Sequence, residues 1–258
     1  MSELKQYNFD QIAKYYDVLE LPNSKTNKEN NKFLYSILKK LSVKSVLDIS
    51  CGTGVQTIFL AKKGLDIVGV DISLGLLDVA KQKAKRARVD IDFKEGDMRS
   101  SVLGKFDAVI SMYNSIGHVQ PEEFENKVLS NVKENLVEGG VYIFDIFNYD
   151  FFKQFEGEET HDEEYAAPDG TTIYRETMNS VLPKNSKIHV EHTNMIVSVD
   201  GVEKVLKDSW DMQLFSADYL IDVLEKNGFE ILGVYGSQDG KEFLGESSVS
   251  IMIVARKV

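Results

Sequence analysis

Between Ser45 and Phe147 short apolar runs alternate with helix-like patterns, and this alternation restricts the possible folds more than any other feature of the chain. Ser45 to Ile49, Asp66 to Val70, Ile91 to Lys94, Phe106 to Ser111 and Val141 to Phe147 read as strands. Before the last of them, Phe124, Val128, Leu129, Val132 and Leu136 share one helical face, with Gly139 and Gly140 reading as the stop. Strands separated by helices are joined by crossovers and lie parallel, with helices on both faces. The expected class is α/β with a doubly wound, mostly parallel sheet. Two further strands, Phe229 to Tyr235 and Val249 to Ala255, bring that sheet to seven.

Two amphipathic segments precede the first strand, one carrying Ile12, Tyr16 and Leu19, the other Phe33, Leu34, Ile37, Leu38 and Leu41. After Asn148 the pattern changes. Thr171 to Leu182, Ile188 to Val199 and Val202 to Met212 read as extended segments joined by turns at 168–170, 183–185 and 200–201, an antiparallel insertion after strand five. The acidic stretch Glu156 to Glu164 reads as an exposed loop. Helical pattern resumes at Ser216, a candidate N-cap, with Leu220, Val223 and Leu224 on one face and Gly228 as the stop. The expected division is 1–148 plus 214–258 as one domain, with 1–42 as a helical lid and 149–213 as an inserted acceptor cover or dimer contact.

With 258 residues, 43% of them hydrophobic, the chain can bury a proper core. Its single cysteine, Cys51, excludes an internal disulfide and fits a cytoplasmic setting, and in the turn it reads as a small filler. No apolar run approaches the roughly 20 residues that span a bilayer, and no leader is read in the first ten residues. A net charge of −11 disfavours nucleic acid as a partner. The basic cluster from Lys81 to Arg88 reads as a solvated helix face. His161, His189 and His192 lack metal-ligand spacing, since 189 and 192 fall on opposite sides of a strand, so no metal is expected.

The run Val46-Leu47-Asp48-Ile49-Ser50-Cys51-Gly52-Thr53-Gly54 leaves a strand, turns and enters a helix. Gly52 and Gly54 permit positive φ and let a ligand lie against bare backbone. A dinucleotide fingerprint requires a third glycine where this chain has Thr57, and a carboxylate at Asp48 suits a cation rather than a pyrophosphate. S-adenosylmethionine (SAM), with its ammonium and sulfonium, meets that demand, and Ser50 lies in the same turn. Asp71 ends the second strand where such folds place an acid on ribose hydroxyls, followed by Ile72. Asp97 can accept from an adenine amino group while Met98 packs on the ring. In order along the chain, these acids mark the crevice at the carboxyl ends of successive strands.

The sequence resembles the class I SAM-dependent methyltransferase superfamily over nearly its whole length, and within it the bacterial amino-sugar N-methyltransferases that serve macrolide deoxysugars. The stretch Gly96-Asp97-Met98-Arg99, then Leu103-Gly104, Phe106-Asp107-Ala108-Val109 and Ser111-Met112-Tyr113-Asn114-Ser115-Ile116-Gly117-His118 follows that group's pattern, as do Tyr16-Asp17 and the β insertion. Ser50 stands where those enzymes usually carry alanine, and Asp145-Ile146-Phe147 replaces their tryptophan-bearing stretch. The resemblance implies a Rossmann-like fold, a lid that places Tyr16 on SAM, and transfer of its methyl group to a small amine.

Displacement at a methyl carbon needs alignment more than acid–base machinery. Met112 to Ser115 reach the crevice at the end of the fourth strand, and Met112 is assigned to the cofactor, Tyr113 and Asn114 to the acceptor. His118 is the candidate acid/base, with capping or loop packing as the plainer role. Tyr7 is a further candidate on the acceptor side, and Arg175 and Trp210 are candidate acceptor contacts from the insertion, although cross-strand pairing explains them equally well. Other readings are an O-methyltransferase, a SAM-binding module without catalysis, a protein or RNA methyltransferase, the RNA disfavoured by charge, and an NAD oxidoreductase, against which Thr57 stands.

Overall fold

The computed structural model describes residues 7–21, 23–198 and 201–258. Residues 1–6 of the segment read for a leader, and Val199 and Asp200 at the third expected turn, lie outside them. In chain order the strands are β1 (Ser45–Asp48), β2 (Asp66–Asp71), β3 (Asp92–Glu95), β4 (Phe106–Ser111), β5 (Leu136–Phe147), β6 (Gly157–Ala166), β7 (Thr172–Leu182), β8 (Lys187–Ser198), β9 (Gly201–Gln213), β10 (Phe229–Tyr235) and β11 (Ser250–Lys257). The helices are α1 (Phe9–Ile12), α2 (Tyr16–Leu19), α3 (Ser24–Lys40), α4 (Val55–Ala61), α5 (Leu74–Ala87), α6 (Pro121–Glu123), α7 (Leu129–Asn135), α8 (Tyr149–Phe152) and α9 (Ala217–Lys226), with a π-helical stretch, Phe124–Val128, joining α6 to α7.

Seven strands form one sheet in the order β10-β11-β5-β4-β1-β2-β3. β1 to β5 run parallel, while β11 lies antiparallel between β5 and β10. This is the expected Rossmann-like, doubly wound arrangement. Successive residues of the central strands point to opposite faces, and both faces are buried. Leu47, Val109 and Phe144 pack with α9 residues Leu220 and Leu224, whereas Val46, Ala108, Ile110 and Ile143 pack with Leu34 and Leu38 of α3. The caps follow the expected chemistry, since Ser73 Oγ accepts from Leu76 N at 3.1 Å and Ser216 Oγ from Tyr219 N at 3.2 Å. Gly228, with φ 79°, takes the left-handed turn after α9.

Two expectations are corrected. The helix meant to run to Gly139–Gly140 stops at Asn135, because Leu136 pairs with Phe106 and opens β5 while its side chain stays in the core. The acidic run is not a loop. From Gly157 to Ala166 it pairs residue by residue with β7 and forms an edge of the antiparallel sheet β6-β7-β8-β9. Its side chains are almost all exposed, and like charges along an edge discourage further strand addition.

Candidate functional site

Strand order reverses between β4 and β1, and the carboxyl ends of the strands there open a cleft of about 880 Å³, solvent at its mouth included. The turn after β1 lines it with Ser50, Cys51, Gly52 and Thr53. Gly52 (φ 52°) faces the cleft, where an added Cβ would meet only the Tyr16 ring at 4.0 Å. Gly54 (φ 76°) does not, because an added Cβ there would press on Ala80, Ile58 and Phe93 at 3.2–3.3 Å. Gly54 therefore serves the close packing of the turn on α5 and β3, a correction to the expectation that both glycines clear room for a ligand.

Asp48 sits beneath the turn rather than on the cleft surface. It is fully buried, its Oδ2 accepts from Thr57 Oγ1 at 2.7 Å, and its Oδ1 has no hydrogen-bond partner. Burial pushes its carboxyl up to about 7 against the pull of Thr57 and the Ser50 N–H. Asp71 lines the cleft, with Oδ2 accepting from Gly52 N at 2.7 Å and Oδ1 from Ser73 N at 3.0 Å. Each oxygen keeps lone-pair capacity for a ligand hydroxyl. Beside it Ile72 is 59% exposed, an apolar platform at the mouth. Next to it, beyond the end of β3, lie Asp97, Met98 and Arg99. Arg99 grips the Asp97 carboxylate through Nε at 2.9 Å and Nη2 at 2.6 Å and also donates its backbone N–H at 2.8 Å. Burial works against ionisation of Asp97, but Arg99 outweighs it and holds the carboxyl below the usual range. A ligand amino group reaching Asp97 shares its carboxylate with Arg99.

The opposite wall consists of Met112, Tyr113, Ser115 and His118. Tyr113 and Asn114 both adopt left-handed backbone, φ 62° and 60°. Asn114 turns away from the cleft, so of the two expected acceptor contacts only Tyr113 borders it. Burial lowers His118 to about 4, so its imidazole is neutral at physiological pH. Phe9 packs edge-on against that ring, with centroids 5.3 Å apart.

Tyr7, Arg175 and Trp210 are brought together, but outside this cleft. Tyr7 stacks on Trp210 at 3.9 Å, and His192 meets the indole edge-on at 4.6 Å. Arg175 and Trp210 line a second chamber between the insertion and α8, walled by Phe147, Phe151 and Phe152. Arg175 is 3% exposed and pairs with Glu20 through Nη1 at 2.8 Å. Its Nη2, the Tyr7 hydroxyl, His192 Nδ1 and Trp210 Nε1 are buried without completing a hydrogen bond. Burial, and then Glu20, push the Tyr7 phenol far up, so it stays protonated. Tyr7 also packs on Phe9 at 4.8 Å, so a run of rings, Trp210, Tyr7 and Phe9, leads from the wall of this chamber to the wall of the cleft.

Sequence reasoning missed the ties that close the cleft. Tyr16 lines it because α1 and α2 are strapped across its mouth. Asp10 accepts from Ser73 Oγ at 2.6 Å and Gly75 N at 2.8 Å, and Asp17 engages Thr53 and Lys83. Lys83 belongs to the cluster read as a solvated face, where nothing in its spacing signals a partner 66 residues earlier in the chain. Cys51 is buried, and burial raises its thiol well above the usual range, as a filler role requires. Among the described residues no group of three or more His, Cys, Asp or Glu could hold a metal ion. No helix among them is long and apolar enough to cross a membrane.

Residues 46–140 match the methyltransferase domain family. Human glycine N-methyltransferase is 27% identical over 218 residues, which cover 76% of this chain and 71% of that protein. Among solved structures, an S-adenosylmethionine-dependent methyltransferase from Clostridium acetobutylicum superposes with a TM-score of 0.81 at 19% identity, covering 96% of this chain and 98% of the other. The sugar N-methyltransferase KedS8 from Streptoalloteichus does so with a TM-score of 0.76 at 19% identity, covering 100% and 95%.

Proposed function

From the match of residues 46–140 to the methyltransferase domain family, we propose that this chain is a class I SAM-dependent methyltransferase that transfers the methyl group to the nitrogen of a small amine, an amino sugar or a similar metabolite. The observation that carries this reading is His118. It lies in the cleft wall, and burial keeps it neutral, so it offers a lone pair to an N–H of an incoming amine without adding positive charge beside a sulfonium. The relatives agree in direction, one named for glycine N-methylation and one for sugar N-methylation.

SAM supplies an activated methyl on an excellent leaving group. The residues fit that cofactor, given the partnerless Asp48 Oδ1 under the turn, the open face of Gly52 and the apolar platform of Ile72. In this reading Asp71 holds the ribose hydroxyls, while Ile72, Asp97 and Met98 border the adenine. Ser50, Gly52 and Tyr16 enclose the methionine end, with the Asp48 charge beneath its ammonium and Gly54 keeping the turn seated. Met112 packs near the sulfur. The amine is set in line by His118 and Tyr113, with Asn114 shaping the turn between them. Position is the main catalytic contribution.

The protonated Tyr7 acts as a hydrogen-bonding wall rather than a base. It backs Trp210, which with Arg175 receives the non-reacting part of the acceptor in the second chamber, and this makes 149–213 the acceptor cover over the domain formed by 1–148 and 214–258. The outer face of that insertion, where Tyr174, Met195 and Val205 are exposed and in register across β7, β8 and β9, suits contact with a second copy.

The test incubates the purified chain with SAM and a panel of amino sugars, glycine and sarcosine, alongside phenols and sugars without nitrogen. Methyl transfer confined to the amines is the expected result. Transfer confined to hydroxyl compounds overturns the reading in favour of O-methylation.

A further inference from the structure

We propose that Asp145 is a positioning residue for the reaction, holding Tyr113 and Asn114 in left-handed backbone and so fixing the cleft wall that faces the transferred methyl. The proposal rests on reading the cleft as the methyl-transfer site. Asp145 lies near the end of β5, is 1% exposed and does not itself line the cleft. Its Oδ1 accepts from Tyr113 N at 2.6 Å, and its Oδ2 accepts from Asn114 N at 3.3 Å and from Gln238 Nε2 at 2.6 Å. Gln238 in turn accepts from Asn30 Nδ2 on α3 at 2.8 Å. One carboxylate thus joins strand β5, the segment between β10 and β11, and helix α3 to the turn after β4.

That turn needs such a hold. A single asparagine tolerates left-handed backbone, but a tyrosine does so poorly, and two such residues in succession persist only where their surroundings over-determine them. The consequence runs forward along the chain. Asn114 O accepts from Gly117 N at 2.8 Å and Ser115 Oγ donates to Met112 O at 2.6 Å, so the direction set at residues 113 and 114 carries through the 3₁₀ turn Ser115–His118. Tyr113, Ser115 and His118 all border the cleft. An acceptor group without hydrogens meets all three N–H donors at once, and only the ionised carboxylate is such a group. Burial pushes Asp145 up to about 6, opposed by Gln238 and the two backbone N–H groups, so the carboxylate still prevails at neutral pH.

An Asp145→Asn variant keeps the shape but offers one oxygen and one NH2, which sets a donor against a donor. The test uses the full chain, its melting temperature, amide hydrogen exchange at Tyr113 and Asn114, and calorimetric binding of two probes. S-adenosylhomocysteine lacks the transferred methyl, whereas sinefungin carries an ammonium-bearing carbon in that region. The variant is expected to exchange the two amides faster, and to lose about tenfold in sinefungin affinity with less than about threefold change for S-adenosylhomocysteine. Gln238→Leu, which removes one of the three donors and leaves the carboxylate, is expected to shift the same ratio by about threefold without unfolding risk at β5. Equal changes for both probes in both variants, or unchanged exchange at Tyr113 and Asn114, would overturn the proposal. Failure of the wild-type chain to bind either probe counts against the cofactor site, and the exchange result then decides the role of Asp145 by itself.

Discussion

Thr57 donates its hydroxyl to Asp48 Oδ2 at 2.7 Å, with both residues closed off from solvent. The position that denies the chain a dinucleotide fingerprint thus secures the carboxylate beneath the turn. Thr57→Val preserves shape and removes the donor. It is expected to weaken S-adenosylhomocysteine binding by about 1 kcal/mol, roughly fivefold, by calorimetry at pH 8, with Thr57→Ser recovering most of the loss. Undiminished binding in the valine variant would remove Asp48 from the cofactor site.

Asp48 makes cofactor binding pH-dependent. Burial raises its folded pKa to about 7, so the folded chain holds this proton more tightly than the unfolded one. The stability contributed by this group is complete below the unfolded carboxyl value and is lost as pH rises through 7. A ligand ammonium favours the ionised form, so S-adenosylhomocysteine affinity is expected to fall below pH 7, by at most about tenfold per pH unit. Asp48→Asn should flatten that profile. Binding heats measured at pH 6.5 in two buffers of different ionisation enthalpy report the released proton, and identical heats would contradict the linkage.

Asp71 carries two backbone N–H donors besides any ligand hydroxyls. Asp71→Ala is expected to cost about 1–3 kcal/mol of S-adenosylhomocysteine affinity and to lower the melting temperature of the free protein, because Gly52 N loses its acceptor. A full loss of affinity with an unchanged melting temperature would show that the N–H bonds contribute nothing to the free fold.

His118 links stability to acid. Its folded pKa is lowered to about 4 by burial, so the stability gained by keeping it neutral is complete above the unfolded value near 6.5 and is lost as pH falls toward 4. Relative to His118→Gln, the wild-type chain should lose up to about 1 kcal/mol per pH unit across that window, read from urea unfolding midpoints. Turnover with an amine should fall in the variant while S-adenosylhomocysteine affinity stays within about twofold. A constant stability difference from pH 7 to pH 4 would show that the ring is not held neutral.

Much of the sheet was legible because its information is local. Each central strand announces itself by a run of apolar residues, and helix α9 by its cap Ser216. The acidic β6 was hidden by the same logic, since an edge strand with exposed side chains shows neither alternation nor an apolar run. Leu136 keeps helical spacing with Val132 and joins it in the core, and an apolar residue at that spacing does not distinguish the last turn of a helix from the first residue of a strand. At the cleft, the residues carried by strand ends, among them Asp71, Met98 and Met112, were readable from spacing. Asp10, Asp17 and Arg99 were not, because their roles depend on partners supplied by the closed fold. In the sequence Asp145 stands out only as a departure from the amino-sugar pattern. Its role becomes apparent when the positive φ values of Tyr113 and Asn114 are set beside its hydrogen bonds.

The chain has one tryptophan, and that indole, backed by Tyr7, lines the second chamber rather than the core of the main sheet. Its emission is therefore an optical gauge of a single compartment. Molecules that enter the chamber should change its colour or intensity, while ordinary breathing of the seven-stranded sheet should leave it dark to the observer. Compounds can thus be sorted by where they dwell before anyone knows whether they react.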